Sequence, residues 1–402
     1  MREFVALVAA LMASNALAID AMLPALPAIG DSLHVAQANH RQLVITVYLI
    51  GFGIAQLIYG PLSDRFGRKG LLVVGLGLYV VFATVAGLAA SFPLLLAART
   101  MQGVAAASTR VLVMAIVRDR YQGSAMARIM SLAMIVFMIV PILAPSFGQG
   151  VLAISSWRHI FIGLAVYGLI LTLWVILRLP ETLAPAARRA LSFASIGQAT
   201  KETLGNRASI GNTITVTLVM GGLFSFITSI QQIVFDVFGR PDLIGLVFAC
   251  IAGPMALSSY ANSRLVHRFG PRRLLLTALA GFSVAALIHL VVTETMGETI
   301  WAFVLMQALT MSSFGLIGSN AGALAMEPLG HIAGTASSLQ GVITTVGGAL
   351  IGYAIGQNFN GTTLPFLIGF SSCAILALLI AYWANPAMIK PPGQGPSHIK
   401  TE

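Results

Sequence analysis

The chain has 402 residues, of which 57% are hydrophobic and only 9% charged, with a formal net charge of +10. Soluble domains average about 25% charged residues, and so apolar a chain has more hydrophobic surface than one core could hide, so lipid must be its solvent. The positive charge does not indicate nucleic-acid binding, because the basic residues are spread over many loops and accompany no recognition motif.

Apolar runs of roughly twenty residues, the length that crosses a bilayer, occur near 4–24, 43–61, 71–90, 93–115, 125–153, 159–178, 208–232, 244–262, 273–292, 300–325, 335–358 and 364–384. They predict an all-α membrane protein with twelve transmembrane helices. The first run has small residues at Ala16-Leu17-Ala18 but stays apolar to Pro24, so it reads as a span and not as a cleaved leader. Residues 25–42 form the longest external loop, with some helix expected. Placing the N-terminus in the cytoplasm puts all but five of the 23 Lys and Arg on the cytoplasmic side. The five are Arg41, Arg158 and Arg240 outside and Arg99 and Arg110 within spans. The Lys/Arg bias therefore predicts both termini in the cytoplasm.

Residues 181–207 carry Arg188, Arg189, Lys201 and Arg207 and read as a cytoplasmic linker between a first half, 1–180, and a second, 208–385. The polar, proline-bearing tail 386–402 is expected to be disordered. Cys250 and Cys373 fall in spans without metal-ligand spacing and read as inert thiols. The loop Gly60–Lys69, GPLSDRFGRK, has its Arg65-Phe66-Gly67 repeated half a chain later as Arg268-Phe269-Gly270. Two six-span pseudo-repeats are a secondary-transporter architecture, with the substrate site between them.

GPLSDRFGRK resembles the signature loop between spans two and three of the major facilitator superfamily. Ala18-Ile-Asp20-Ala-Met-Leu-Pro24-Ala-Leu-Pro27 resembles the first-span motif of its bicyclomycin-resistance/CflA branch of drug:proton antiporters. Arg99-Thr-Met-Gln102-Gly103, Val117-Arg118-Asp119, Pro141-Ile-Leu-Ala-Pro145-Ser-Phe-Gly148, Leu179-Pro180-Glu181-Thr182-Leu183 and Gly334–Gly341 continue the match. Two departures stand out: Gln149 occupies the place of a second glycine, and Met114 that of an arginine, with Arg110 one turn earlier. The resemblance implies the major facilitator fold and proton-coupled export of small amphiphilic drugs by alternating access. The alternative is import or export of a specific metabolite on the same fold.

Asp20 is the acid set well inside a span, where a charge is costly unless used. It and Arg99 lie at matching depths below the outer ends of helices one and four, so an Asp20–Arg99 contact and a proton-coupling role are expected. Arg110, three turns after Arg99, shares its face and is a substrate-cavity candidate with Gln102, Gln231, Gln232, Phe235 and Asn320. Gly60, Asp64, Arg65, Gly67, Arg68 and Lys69 read as a gating loop that latches onto Arg118 and Asp119. His267 stands in for the aspartate in the second half. Pro141, Pro145 and Gly148 should bend helix five or bring its backbone against a neighbour. No paired carboxylates, metal cluster or nucleophile–base set supports an enzyme, and no phosphate-binding loop supports ATP as the energy source. A proton gradient, a small-molecule substrate, a monomer in the bacterial inner membrane, and neither metal nor cofactor are the resulting expectations.

Overall fold

A computed structural model describes residues 2–184 and 193–386, and all regular structure among them is helical. The first half holds α1 (Arg2–Asp20), the short α2 (Leu26–Ser32), α3 (Leu43–Phe66), α4 (Arg68–Gly87), α5 (Phe92–Arg120), α6 (Gly123–Ile154) and α7 (Trp157–Arg178). The linker contributes α8 (Phe193–Gly205). The second half holds α9 (Arg207–Gln232), α10 (Ile244–Phe269), α11 (Pro271–Met296), α12 (Ile300–Met311), α13 (Phe314–Met326), α14 (Ala333–Gly356) and α15 (Leu364–Ala384). Ten stretches are long and apolar enough to cross a bilayer. One of them, Ile300–Gly356, holds two crossings that reverse at Glu327–Ile332. With the 32-residue α6, the expected twelve are accounted for.

Local chemistry sets the breaks. α1 ends at Asp20 because Pro24, four residues on, has no N–H to return to the Asp20 carbonyl. α5 and α12 start on matching caps, with Ser91 and Thr299 accepting from the Leu94 and Ala302 amides, as N-cap hydroxyls do. The segment expected as a loop over 60–69 is helix on both sides of one residue: Gly67, at φ 99°, alone separates α3 from α4. Gly270 does the same between α10 and α11 at φ 75°, a conformation glycine adopts at little cost. Residues 25–42 contain α2 and the turn Ala38–Gln42, and the turn Leu23–Ala25 leads into them. Residues 185–192, with Arg188 and Arg189, and the tail from 387 onward lie outside the described residues.

Within the first half α3 packs on α5, α4 lies between α5 and α7, and α1 lies along α6. In the second half α9 lies along α14 and α15, and α10 packs on α12 and α13. The halves join through α3 on α14 and α6 on α10, two seams related by the pseudo-repeat. Both termini of the helical body lie at one end, here the terminal side; the turns after α1, α4, α6, α9, α11 and α14 lie at the far side. One buried apolar cluster runs across both halves and includes the far-side residues Leu23, Leu26, Val44, Ile233 and Phe366. A second, at the terminal side, is confined to the first half and contains Phe4, Leu72, Ile116 and Val175. The apolar core thus joins the halves at the far side, whereas its terminal-side cluster belongs to the first half alone.

Candidate functional site

Asp20 sits at the end of α1, 4% exposed, and its Oδ1 has no hydrogen-bond partner. The expected Asp20–Arg99 ion pair is absent. Arg99, fully buried, donates Nε to the Val44 carbonyl (3.0 Å), Nη1 to Gln102 Oε1 (2.9 Å) and Nη2 to the Ala18 carbonyl (3.1 Å). Its guanidinium also lies 4.4 Å from the Tyr48 ring centroid and 5.7 Å from that of Phe161. Carbonyl dipoles and aromatic faces together do what a carboxylate would have done, and two of the acceptors hold Arg99 to the backbones of α1 and α3. Deeper on the same helices, Tyr48 Oη donates to Asn15 Oδ1 (3.1 Å), and Asn15 Nδ2 donates to the Thr109 hydroxyl (2.8 Å).

Arg110 follows directly. Among the described residues it makes no hydrogen bond or ion pair, and it is exposed. It shares a helical face with Arg99, which is turned toward α1 and α3. The remaining cavity candidates divide. Gln102 is buried as the acceptor for Arg99, and Gln231 is 1% exposed with its Nε2 unpartnered. Phe235 is half-buried against the core. Asn320 is buried and joins α13 to α10 by donating to Asn262 Oδ1 (2.7 Å). These four are packed inside the helix bundle, and Arg110 alone of the cavity candidates is exposed.

Gln232 belongs elsewhere, in a carboxamide clasp that closes the far side. Gln42 Nε2 donates to Gln232 Oε1 (2.5 Å) and to the Gly356 carbonyl (3.2 Å). Gln232 Nε2 donates to Asn39 Oδ1 (2.8 Å). Asn39 Nδ2 donates to the carbonyls of Gln357 (3.0 Å) and Phe359 (2.9 Å), and Gln357 Nε2 to the Asn39 carbonyl (2.8 Å). Each bond joins the first half to the second. Sequence reading missed Asn39, Gln42 and Gln357, since amides near span ends look like ordinary interfacial residues. A further far-side link explains one departure from the family pattern: Gln149 Nε2 donates to the Pro241 carbonyl (2.8 Å).

At the terminal side, Arg68 is 4% exposed and pairs with Asp64 (2.6 Å) and Asp119 (3.1 Å). Its Nη1 also donates to the Ser63 hydroxyl. Glu181 accepts from the amides of Arg68, Lys69, Thr182 and Leu183 at 2.9–3.1 Å and so caps α4. Partial burial works against its charge, but the four amides outweigh it and hold the carboxyl below the usual carboxylate range. Lys69 Nζ donates to the Ile176 carbonyl (2.9 Å). Arg65 lies 5.2 Å from the Phe66 ring centroid, and Arg118 is exposed, without an ion pair among the described residues. Asp119 is therefore the partner and Arg118 is not, and every contact of the cluster lies within the first half and the start of the linker. Its counterpart in the second half is Arg272–Glu327, at 3.7 Å and well exposed, a looser pair; His267 takes no part in it.

Gly148 meets its expectation, because a Cβ there would strike the Ala21 carbonyl oxygen and the Pro24 ring. α6 therefore lies backbone to backbone on the break that carries Asp20. α6 stays helical through Pro141 and Pro145. Gly60 faces the seam, with Ser338 across it. Sequence reading also passed over Glu298, a buried acid paired with His289, because it lies in a short turn between spans; its only signal was proximity to a histidine near the end of the preceding span.

The sequence pattern of the Major Facilitator Superfamily matches residues 8–352 and again 213–400. The uncharacterized MFS-type transporter YdgK of Bacillus subtilis (strain 168) is 32% identical over 357 residues, 86% of each chain. The bicyclomycin resistance protein homolog of Haemophilus influenzae is 28% identical, covering 93% of this chain and 94% of its own. The crystal structure of a D-xylose–proton symporter has the same fold, with a TM-score of 0.74 at 15% identity over 94% of this chain and 97% of that one. With its two packed six-helix halves, the chain belongs to the Major Facilitator Superfamily, as a multi-pass membrane transporter and not an enzyme.

Proposed function

We propose that this transporter exports small neutral or anionic amphiphiles across the bacterial inner membrane in exchange for protons, with both termini in the cytoplasm. In this reading the terminal side is cytoplasmic, and the conformation is open inward beneath the far-side clasp. Asp20 exchanges the proton and Arg110 reads the charge of the substrate. The observation that carries the reading is the Asp20 carboxyl, buried at a helix break, with one oxygen unpartnered and no cation paired with it. An acid kept at membrane depth without a partner is a standing cost that use in a transport cycle explains. Gly148 brings α6 against the same break, so a movement of α6 would reach Asp20 directly. The name of the Haemophilus relative points toward drug resistance.

The test is uptake into inverted membrane vesicles under an imposed pH gradient, with a compound panel. Asp20→Asn should bind substrate and equilibrate it but lose uphill transport. Uphill transport at the wild-type rate by Asp20→Asn would overturn the assignment.

A further inference from the structure

His289 and Glu298 are the buried ionisable pair that the proposed cycle leaves unused. Their side chains are 1% and 6% exposed, and His289 Nε2 meets Glu298 Oε1 at 2.6 Å. The Thr293 hydroxyl donates to the same oxygen (3.1 Å), and the Thr363 hydroxyl donates to Oε2 (2.6 Å). The carboxyl thereby ties α11, the turn before α12 and the first turn of α15 together at the far side. Around it stand aromatic rings: Phe303 lies 5.6 Å from the imidazole, and Phe303 also contacts Phe238 and Phe366. His289 Nδ1 is buried without a partner.

No other charge is placed to serve this pair. α12, α13 and α15 carry no charged side chain, and those of α10 (Arg264, His267, Arg268) lie at its terminal-side end. On α11 itself Glu294 is exposed, and Arg272 and Arg273 lie at the opposite end. In the turn before α10, Asp236 is exposed, and Arg240 and Asp242 pair with each other (2.8 Å). The proton balance of the pair is therefore its own. With a proton shared between imidazole and carboxyl the pair is net neutral, and without it a negative charge remains inside the apolar bundle.

We propose that His289 and Glu298 form a proton-binding site in the second half, separate from Asp20, whose occupancy locks the far-side ends of α11, α12 and α15 together. The ligand is the proton alone. When the pair loses it, the buried charge drives the carboxyl toward water, and the Thr363 and Thr293 contacts part. The lock holds at low pH and loosens as pH rises. The inference does not require Asp20 to carry a transported proton.

The test is the thermal unfolding midpoint of the purified transporter from pH 5 to pH 9. The wild type should lose stability toward the alkaline end. Glu298→Gln, which keeps an acceptor for Thr363 but cannot leave a negative charge, should flatten that loss. Thr363→Val, which keeps both ionising groups but removes a donor to the carboxylate, should delay the loss to higher pH and gives a second reading if Glu298→Gln does not fold. Asp20→Asn should leave the alkaline loss unchanged, so a failed proton role for Asp20 would not touch this result. A flat wild-type profile, or the same alkaline loss in wild type, Glu298→Gln and Thr363→Val, would overturn the site.

Discussion

Arg99 and Arg110 stand on one face of α5 and have opposite surroundings. Arg99 is used up by two backbone carbonyls, an amide oxygen and two rings, whereas Arg110 is exposed with no partner among the described residues. Two unit charges 4 Å apart interact by about 4 kcal/mol at an effective dielectric constant of 20. An unpaired cation that faces the substrate should thus disfavour cationic substrates even after hydration reduces the effect. Arg110→Met is expected to express normally and to raise transport of quaternary ammonium dyes relative to amphenicol-like compounds, as read in a paired vesicle assay. Unchanged selectivity would mean that the arginine does not meet the substrate. At this scale the sequence told which residues are chemically unusual, since an acid or arginine in an apolar run is conspicuous. It did not tell who meets whom. Matching depth suggested an Asp20–Arg99 pair, but Arg99 takes the backbone carbonyls of Ala18 and Val44 instead.

The elements were legible where length and apolarity decide, and misread where charged residues continue a helix past the membrane face. Asp64, Arg65 and Arg68 suggested a loop, yet Arg68 folds back on Asp64 one turn earlier and on Asp119 of α5, leaving Gly67 as the only non-helical link. The cap on α4 comes from Glu181, distant in sequence, which no local pattern reveals. Its carboxyl is held below the ordinary value of 4.5. Its contribution is therefore complete at neutral pH and is lost as pH falls below that value, when protonation weakens its hold on the four amides. Glu181→Ala should cost about 1 kcal/mol at pH 7, in the range of other N-cap deletions, read as a lowered unfolding midpoint. The gap from wild type should close as pH is lowered below about 4.5. A gap that stays constant with pH would show that packing, and not the charged cap, is responsible.

Across the whole molecule, the repeat read from Arg65-Phe66-Gly67 and Arg268-Phe269-Gly270 is present in backbone angles, in helix caps and in the two seams, but the two halves are chemically unequal. The first buries Arg68 against Asp64 and Asp119 at its terminal side; the second exposes the counterpart pair Arg272–Glu327. The far side is closed by the carboxamide clasp between the halves. A neutral hydrogen bond is worth about 1 kcal/mol net. Replacing Gln42 and Gln232 together by Ala removes three of them and should shift the equilibrium toward far-side opening by about 3 kcal/mol, on the order of a hundredfold. Spin labels at Ala36 and Asn360, both exposed on that side, should then report a population at longer distance. An unchanged distance distribution would deny the clasp its role.

The clasp contains no ionised group. Moving one elementary charge through the full membrane potential is worth about 2.3 kcal/mol per 100 mV, but amides carry no net charge for that field to act on. Breaking this door therefore transfers no gating charge. Any sensitivity of far-side opening to voltage has to enter elsewhere, through charged passengers and through the ionised side chains that move with the halves.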